Sequence, residues 1–313
     1  MKSAIAILTY RRLPVLQETL KGINQFCAHY PLAVFEDCGQ RDGTSAFLTA
    51  NRRLENRPIY AAAEAVPEVE ATLSAEEKLL GVEPPKQPRY FLGNINLGVA
   101  GNSNRALKWF LDETDADHLC LLNDDLHVLG DFVAHYAAGH RDLGTEMFCF
   151  CPSGGMYSHP SYIGPTVRSR GYAIKLMPRF TGIMMSVTRK LVEKIGYFDA
   201  RFGKFGEEHC DWTIRARFAG GIRLDGQDQN CLDLEATPPV LRHQEVATSV
   251  TGPERAKADQ EASAIMRQCS SRYGYEHFYR PFALRLPKNV GGFLGQGIPF
   301  HLINNHTLIQ PRA

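Results

Sequence analysis

The chain has 313 residues, 44% hydrophobic and 22% charged, the balance of an ordinary folded protein, which excludes wholesale disorder. With 35 Lys and Arg against 34 Asp and Glu, the formal net charge is +1, so overall charge offers no argument for a nucleic-acid binder. No apolar run approaches the ~18 residues of a membrane span, and Ala4 to Leu8, followed by Arg11 and Arg12, is too short for an export signal. A cytoplasmic chain is therefore expected, with its eight scattered cysteines reduced and mostly buried.

The first expected element is a short strand, Ala4 to Thr9. Pro14 then suits the first turn of a helix, and Leu13, Leu16, Leu20, Ile23 and Cys27 recur at helical spacing. Leu32 to Phe35 reads as a second strand ending at Glu36 and Asp37, and a second helix is expected from Thr44 to about Leu54. This strand–helix alternation is the order of a mostly parallel sheet. Residues 56–88, with five prolines and six glutamates, interrupt it as a solvated insertion, with a helix expected across Leu73 to Leu80.

The alternation resumes with a strand at Tyr90 to Leu92, a helix from about Ala100 to before Asp115, and an uncharged strand at His118 to Leu122 that runs into Asn123, Asp124 and Asp125. Met147 to Cys151 and Thr181 to Val187 read as strands, residues 152–180 as loop, and Leu191 to Ile195 as helix. Residues 207–219 form an expected helix with Cys210, Ile214 and Phe218 as its apolar stripe, closed by Gly220 and Gly221. From about residue 253 a further helix is expected to about Arg272, followed by an aromatic and basic tail.

Four segments carry candidate chemistry. Asp37 and the Asp124–Asp125 pair both follow strand ends, the edge where open α/β sheets bind ligands. Adjacent carboxylates in a partly dry place call for a cation, and hard oxygens select Mg²⁺ or Mn²⁺; the same Asn-Asp-Asp triplet is also good turn chemistry. Asn96 to Asn104 leads small residues and amides into a helix start, which suits an anion or simply a capped helix. Neither G-x-G-x-x-G nor G-K-[ST] occurs, which disfavours a dehydrogenase or a P-loop ATPase. Glu208 and Asp211 share a helix face beside His209, an arrangement fit for base catalysis or for complementing the helix dipole. His243 stands alone in sequence.

Taken in order, these segments resemble glycosyltransferase family 2, the inverting nucleotide-sugar transferases. The match runs from Ile5 to His243 through Leu8 to Arg12, Glu36 to Gly39 with Asp42 to Thr44, Asn96 to Asn104, Leu122 to Asp125, Thr181-Gly182, Gly196 to Asp199, and Glu208 to Trp212 with Arg215. The resemblance implies an α/β GT-A (Rossmann-like) fold over residues 1–250: a mixed, mostly parallel sheet with helices on both faces. Residues 251–313 then form a helical, aromatic-basic extension. It implies that Thr9, Asp37 and Asn96 line the base and ribose of a nucleotide sugar, with Tyr10, Arg12, Asp42, Gly98, Asn104, Asn123 and Asp124 in the same matched donor segments. Asn123 to Asp125 stands for the family's D-x-D, with Asn123 departing at its first position. Asp125 is then the ligand of a divalent Mn²⁺ or Mg²⁺, and His243 matches the late ligand. The family's base is the Asp of a Glu-Asp pair; here the pair is Glu208-His209, so both compete for the role and Asp211, one turn on, would orient a partner.

The implied activity is transfer from a nucleoside-diphosphate sugar, a UDP-sugar first, to a hydroxyl of a saccharide or glycoconjugate. Two other readings stay open. The tail and the Arg168–Arg170 loop suit a transferase acting on a hydroxylated base in DNA. The Asn123 and His209 departures suit a non-catalytic nucleotide-sugar binder.

Overall fold

The structure is a computed structural model. It describes residues 1–37, 43–44, 47, 55–56, 89–92, 96–152, 164–177, 180, 182–202, 206–244 and 252–279, the last with side chains to residue 266. The second helix expected from Thr44, the insertion with its helix, the aromatic-basic tail, and the residues Asp42 and Thr181 lie outside this set or largely so.

Strands β1 (Ser3–Thr9), β2 (Leu32–Glu36), β3 (Glu55–Asn56), β4 (Arg89–Leu92), β5 (His118–Asn123), β7 (Met147–Cys149) and β10 (Met184–Thr188) form one seven-stranded sheet in the order β3-β4-β2-β1-β5-β10-β7. All pairings are parallel except those of β10, which runs against both neighbours. The expected mixed, mostly parallel sheet is thus observed. Every residue of the central strand β1 is buried, as a continuous apolar run with neighbours on both sides requires.

The helices follow from periodicity and caps. Helix α1 (Leu13–Phe26) carries Pro14 in its first turn and buries Leu16, Thr19, Leu20 and Ile23 on one face. Helix α2 (Gly98–Glu113) packs on β1, β2 and β5. Helix α3 (Phe132–Leu143), absent from the sequence expectations, is capped by the Asp131 carboxylate on the Ala134 N–H and ends at Gly144 with φ 71°. Helices α4 (Arg189–Ile195), α5 (Glu208–Phe218) and α6 (Gly252–Tyr279) complete the set, and α6 packs on α5 and on the 3₁₀ turn Ala200–Phe202.

Two expectations are corrected. Within residues 152–180, β8 (Thr166–Ser169) and β9 (Tyr172–Met177) form a hairpin around Arg170 and Gly171, and β9 pairs with β13 (Cys231–Glu235). Arg170 and Tyr172 bond to Asp142 at the end of α3, so the two arginines belong to a pinned hairpin. The buried face of α5 is not Cys210, Ile214 and Phe218, for Phe218 is 53% exposed. Trp212, Arg215 and Ala216 turn inward instead, because the neighbouring loop presents backbone carbonyls that need donors. Trp212 Nε1 donates to Gly196 O (2.9 Å), and Arg215 donates to Ile195 O (2.7 Å) and Tyr197 O (2.8 Å).

Two short ribbons remain. One is β11 (Arg223–Leu224) with β12 (Gln227–Asp228), and the other is β6 (Leu126–Val128) with β14 (Leu241–His243). The second places His243 directly opposite Leu126.

Candidate functional site

The strand registers align Thr9 with Glu36, and Leu8 with Asn123, so the carboxyl ends of β1, β2 and β5 lie at one sheet edge. The acidic turn there is held from three directions. Thr9 Oγ1 donates to Asp124 Oδ2 at 2.6 Å. Arg12, at the start of α1, spans both acids: one guanidinium nitrogen bonds Asp125 Oδ2 at 2.9 Å, the other Asp124 Oδ1. Thr19 Oγ1 lies 2.6 Å from Asp124 O and 2.8 Å from Leu126 O, and the Gln244 N–H donates to Asp125 O at 2.9 Å. Pairing of β14 with β6 carries His243 Nε2 to 3.5 Å from Asp125 Oδ2.

Both acids are nearly inaccessible, yet their electrostatics differ. Burial pushes Asp124 up to about 7, although Arg12 and Thr9 oppose it. Burial also raises Asp125, but the hydrogen bond from His243 and the charge of Arg12 outweigh it and hold Asp125 below the usual carboxylate range. Asp125 Oδ1 is buried with no hydrogen-bond partner among the described residues.

An unclaimed carboxylate oxygen beside an imidazole is a donor set that suits Mn²⁺ or Mg²⁺, cations that complete their shells with water and phosphate oxygens. No cluster of three or more His, Cys, Asp or Glu occurs among the described residues. Asp125 and His243 are the residues here that could hold such an ion.

The neighbouring donor-segment residues divide into two kinds. Asp37, at the end of β2, accepts from the N–H groups of Leu97 (2.8 Å) and Gly98 (2.9 Å), and Asn96 Oδ1 also accepts from Gly98 N–H. Burial pushes Asp37 up to about 6 despite these bonds. Gly98 has φ 75°, a left-handed conformation that favours glycine, which explains the residue at that point of the motif. Tyr10, Arg12, Asn96 and Asn123 keep partial exposure at the edge. Asn104 is placed elsewhere: it is 1% exposed and clamps Phe198, its Nδ2 donating to Phe198 O (2.9 Å) and its Oδ1 accepting from Phe198 N–H (2.7 Å). The structure thus gives its amide to the core rather than to the edge.

The third constellation sits at the start of α5. His209 Nδ1 lies 2.9 Å from Glu208 Oε1. An ionised carboxylate only accepts, so Nδ1 is the donor of this bond. The ring stacks on Phe180 (5.2 Å, 14°), meets Phe198 edge-on (5.4 Å, 77°) and lies against Gly182, where a Cβ would fall 2.7 Å from Nδ1. Ile183, next to Gly182, accepts from the Asn123 N–H at 2.9 Å, which puts the start of α5 beside the acidic turn. Asp211 stands apart: it is fully buried, pushed up to about 7 by burial, and bonded to Arg215 at 3.0 Å. That pair anchors the Ile195–Tyr197 loop.

Sequence reasoning missed Thr19, Gln244 and Arg105. Arg105 donates to Glu36 O and Phe91 O (2.9 Å each), tying the ends of β2 and β4 to α2. A hydroxyl on the apolar face of α1 was the available signal for Thr19. Beside His243 opens a cleft of about 540 Å³ whose walls include His127, Phe150, Lys175, Glu235 and Arg242.

No model of a known protein family matches this chain, and no curated protein matches it in sequence. In structure it resembles GalNAc-T7 solved with UDP, GalNAc and Mn²⁺, with a TM-score of 0.54 and 12% identity, covering 97% of this chain and 55% of that one. It also resembles S. aureus TarS 1–349 solved with UDP-GlcNAc, with a TM-score of 0.50 and 13% identity, covering 96% of this chain and 72% of that one. A mannosyltransferase from Pyrobaculum calidifontis, solved with GDP-Man and Mn²⁺, aligns at a TM-score of 0.46. The first two likenesses establish that this chain has a GT-A-like fold.

Proposed function

We propose that this chain is a metal-dependent, inverting glycosyltransferase of the family 2 type, moving a sugar from a nucleoside diphosphate to a hydroxyl of a saccharide or glycoconjugate. The observation that carries this reading is the meeting, at one sheet edge, of the Asp124–Asp125 turn, Arg12 and His243 with the Glu208–His209 pair.

In this reading Asp37, Asn96 and the Gly98 turn form the nucleotide side, and Arg12 faces the diphosphate. Asp125 and His243 would hold a divalent ion, which when bound neutralises charge on the departing diphosphate. His209 Nε2 takes the proton of the acceptor hydroxyl as its oxygen bonds the anomeric carbon and the bond to the diphosphate breaks. Glu208 fixes the tautomer and orientation of His209; Asp211 and Asn104 hold the surrounding backbone. The cleft beside His243, with charged walls and the Phe150 ring, provides an acceptor side of suitable size and polarity.

The test is thermal unfolding with a panel of nucleotide sugars, with and without Mn²⁺, on the full chain and on Asp125→Ala. A cognate donor stabilises the native state by mass action. Metal-dependent stabilisation by at least one donor, lost in Asp125→Ala, is expected. Donor affinity indifferent to both Mn²⁺ and Asp125 would refute the metal assignment.

A further inference from the structure

Asp124 and Asp125 are 0% and 6% exposed, and two neighbouring carboxylates so placed need a compensating cation. One is already there. Arg12 lays one guanidinium nitrogen on each acid, with its own side chain 19% exposed and its Nε buried without a hydrogen-bond partner among the described residues. Asp125 Oδ2 is shared between Arg12 at 2.9 Å and His243 at 3.5 Å, which leaves Oδ1, buried and without a hydrogen-bond partner among the described residues, as the oxygen not yet claimed. A dication arriving at Oδ1 therefore binds the same carboxylate as a fixed guanidinium, and the two positive charges oppose each other across it. A diphosphate removes the conflict. Its negative charge offsets both cations, and its oxygens offer the guanidinium and the ion acceptors that do not have to be shared on Asp125.

We infer that Arg12 acts as a built-in counter-cation that makes divalent-metal binding conditional on a diphosphate, so that the two ligands load synergistically. This inference rests on the donor-site reading given above. Linkage makes the effect reciprocal: whatever factor a diphosphate adds to metal affinity, the metal adds to diphosphate affinity.

The experiment measures free Mn²⁺ by electron paramagnetic resonance on the full chain without nucleotide, for the wild type, Arg12→Gln and Arg12→Gln/Asp125→Asn. Equilibrium dialysis of UDP and of GDP, each with and without Mn²⁺, accompanies it. Arg12→Gln should bind Mn²⁺ alone ~10-fold or more tightly than the wild type, a factor within the usual range of site coupling. The added Asp125→Asn should abolish that gain. In the wild type Mn²⁺ should tighten UDP or GDP binding, and in Arg12→Gln by a smaller factor.

If Arg12→Gln binds Mn²⁺ no more tightly while the wild type still shows Mn²⁺-dependent nucleotide binding, the inference is wrong and the donor-site reading stands. If Mn²⁺ affects neither nucleotide in the wild type, the donor-site reading itself fails and takes the inference with it. Should Arg12→Gln not fold, Arg12→Gln/Asp124→Asn removes one carboxylate together with the guanidinium and so restores the buried charge balance. It should bind Mn²⁺ alone more tightly than the wild type, and equal or weaker binding overturns the inference.

Discussion

Gly182→Ala offers a direct test of how the start of α5 is held. The φ of Gly182 lies outside the left-handed region, so alanine meets no backbone penalty there, and the whole effect comes from one methyl group. That methyl falls 2.7 Å from His209 Nδ1, 2.9 Å from Cε1 and 3.1 Å from Cγ. Relief to an ordinary contact asks the ring to retreat by about 0.7 Å. The ring is stacked on Phe180, edge-on to Phe198 and bonded to Glu208, so it moves only by loosening those contacts.

Overpacking of this kind costs ~1–3 kcal/mol, and displacing a reacting group by close to 1 Å costs ~10²-fold in turnover. Urea unfolding and single-turnover transfer or donor hydrolysis measure the two effects. The decisive comparison is a double-mutant cycle with His209→Ala, which removes the ring. Gly182→Ala should then be close to neutral for stability. Equal destabilisation in both backgrounds would show that the methyl clashes with something other than His209.

Two further outcomes are expected. His118 and His140 are joined through Ser186: His140 Nδ1 faces Thr145 O (2.8 Å), and the Nε2 atoms of His140 (2.8 Å) and His118 (2.7 Å) both meet Ser186 Oγ. Burial lowers both imidazoles, His140 to about 4, so the folded state binds fewer protons than the unfolded chain below the ordinary value of 6.5. Stability is complete above about pH 6.5 and is lost as pH falls towards 4, with about 3 kcal/mol attributable to His140; His140→Asn should flatten that part of the urea-unfolding pH profile, and an unchanged slope would refute the account. Asn104→Ala leaves the Phe198 N–H and C=O buried without their amide partner and should cost ~2–5 kcal/mol of stability, with nucleotide affinity unchanged. Lost nucleotide affinity at normal stability would return Asn104 to the donor site.

Much of this sheet edge is legible in the chain because it depends on local patterns. The buried run of β1, the Pro14 start and apolar face of α1, and the polar turns closing β2 and β5 each show within a few residues which element forms and where it ends. Strand–helix alternation then orders the carboxyl ends of β1, β2 and β5 at one edge, so Asp37 and Asp124–Asp125 emerge as neighbours from order alone, while Thr9 enters through the family resemblance. Gly98 is likewise readable, as a small residue at a turn into a helix.

Residues whose partners are distant in the chain are placed by the fold and not by local pattern. His243 reaches Asp125 because β14 pairs with β6, a register that no local pattern announces. Arg12 and Arg105 are alike in type, yet one lies on carboxylates at the sheet edge and the other on backbone carbonyls in the core. Asn104 and Asp211 look like site residues by type and spacing; the structure pairs the Asn104 amide with Phe198 and one Asp211 oxygen with Arg215, and Asp211 Oδ1 has no hydrogen-bond partner among the described residues. The face of α5 was misread for the same reason: hydrophobicity favours Cys210, Ile214 and Phe218, while the unpaired carbonyls of the Ile195–Tyr197 loop draw Trp212 and Arg215 inward. Buried backbone acceptors must be matched with donors, and which side chain supplies them depends on what packs alongside, a fact of three-dimensional arrangement that spacing along the chain does not contain.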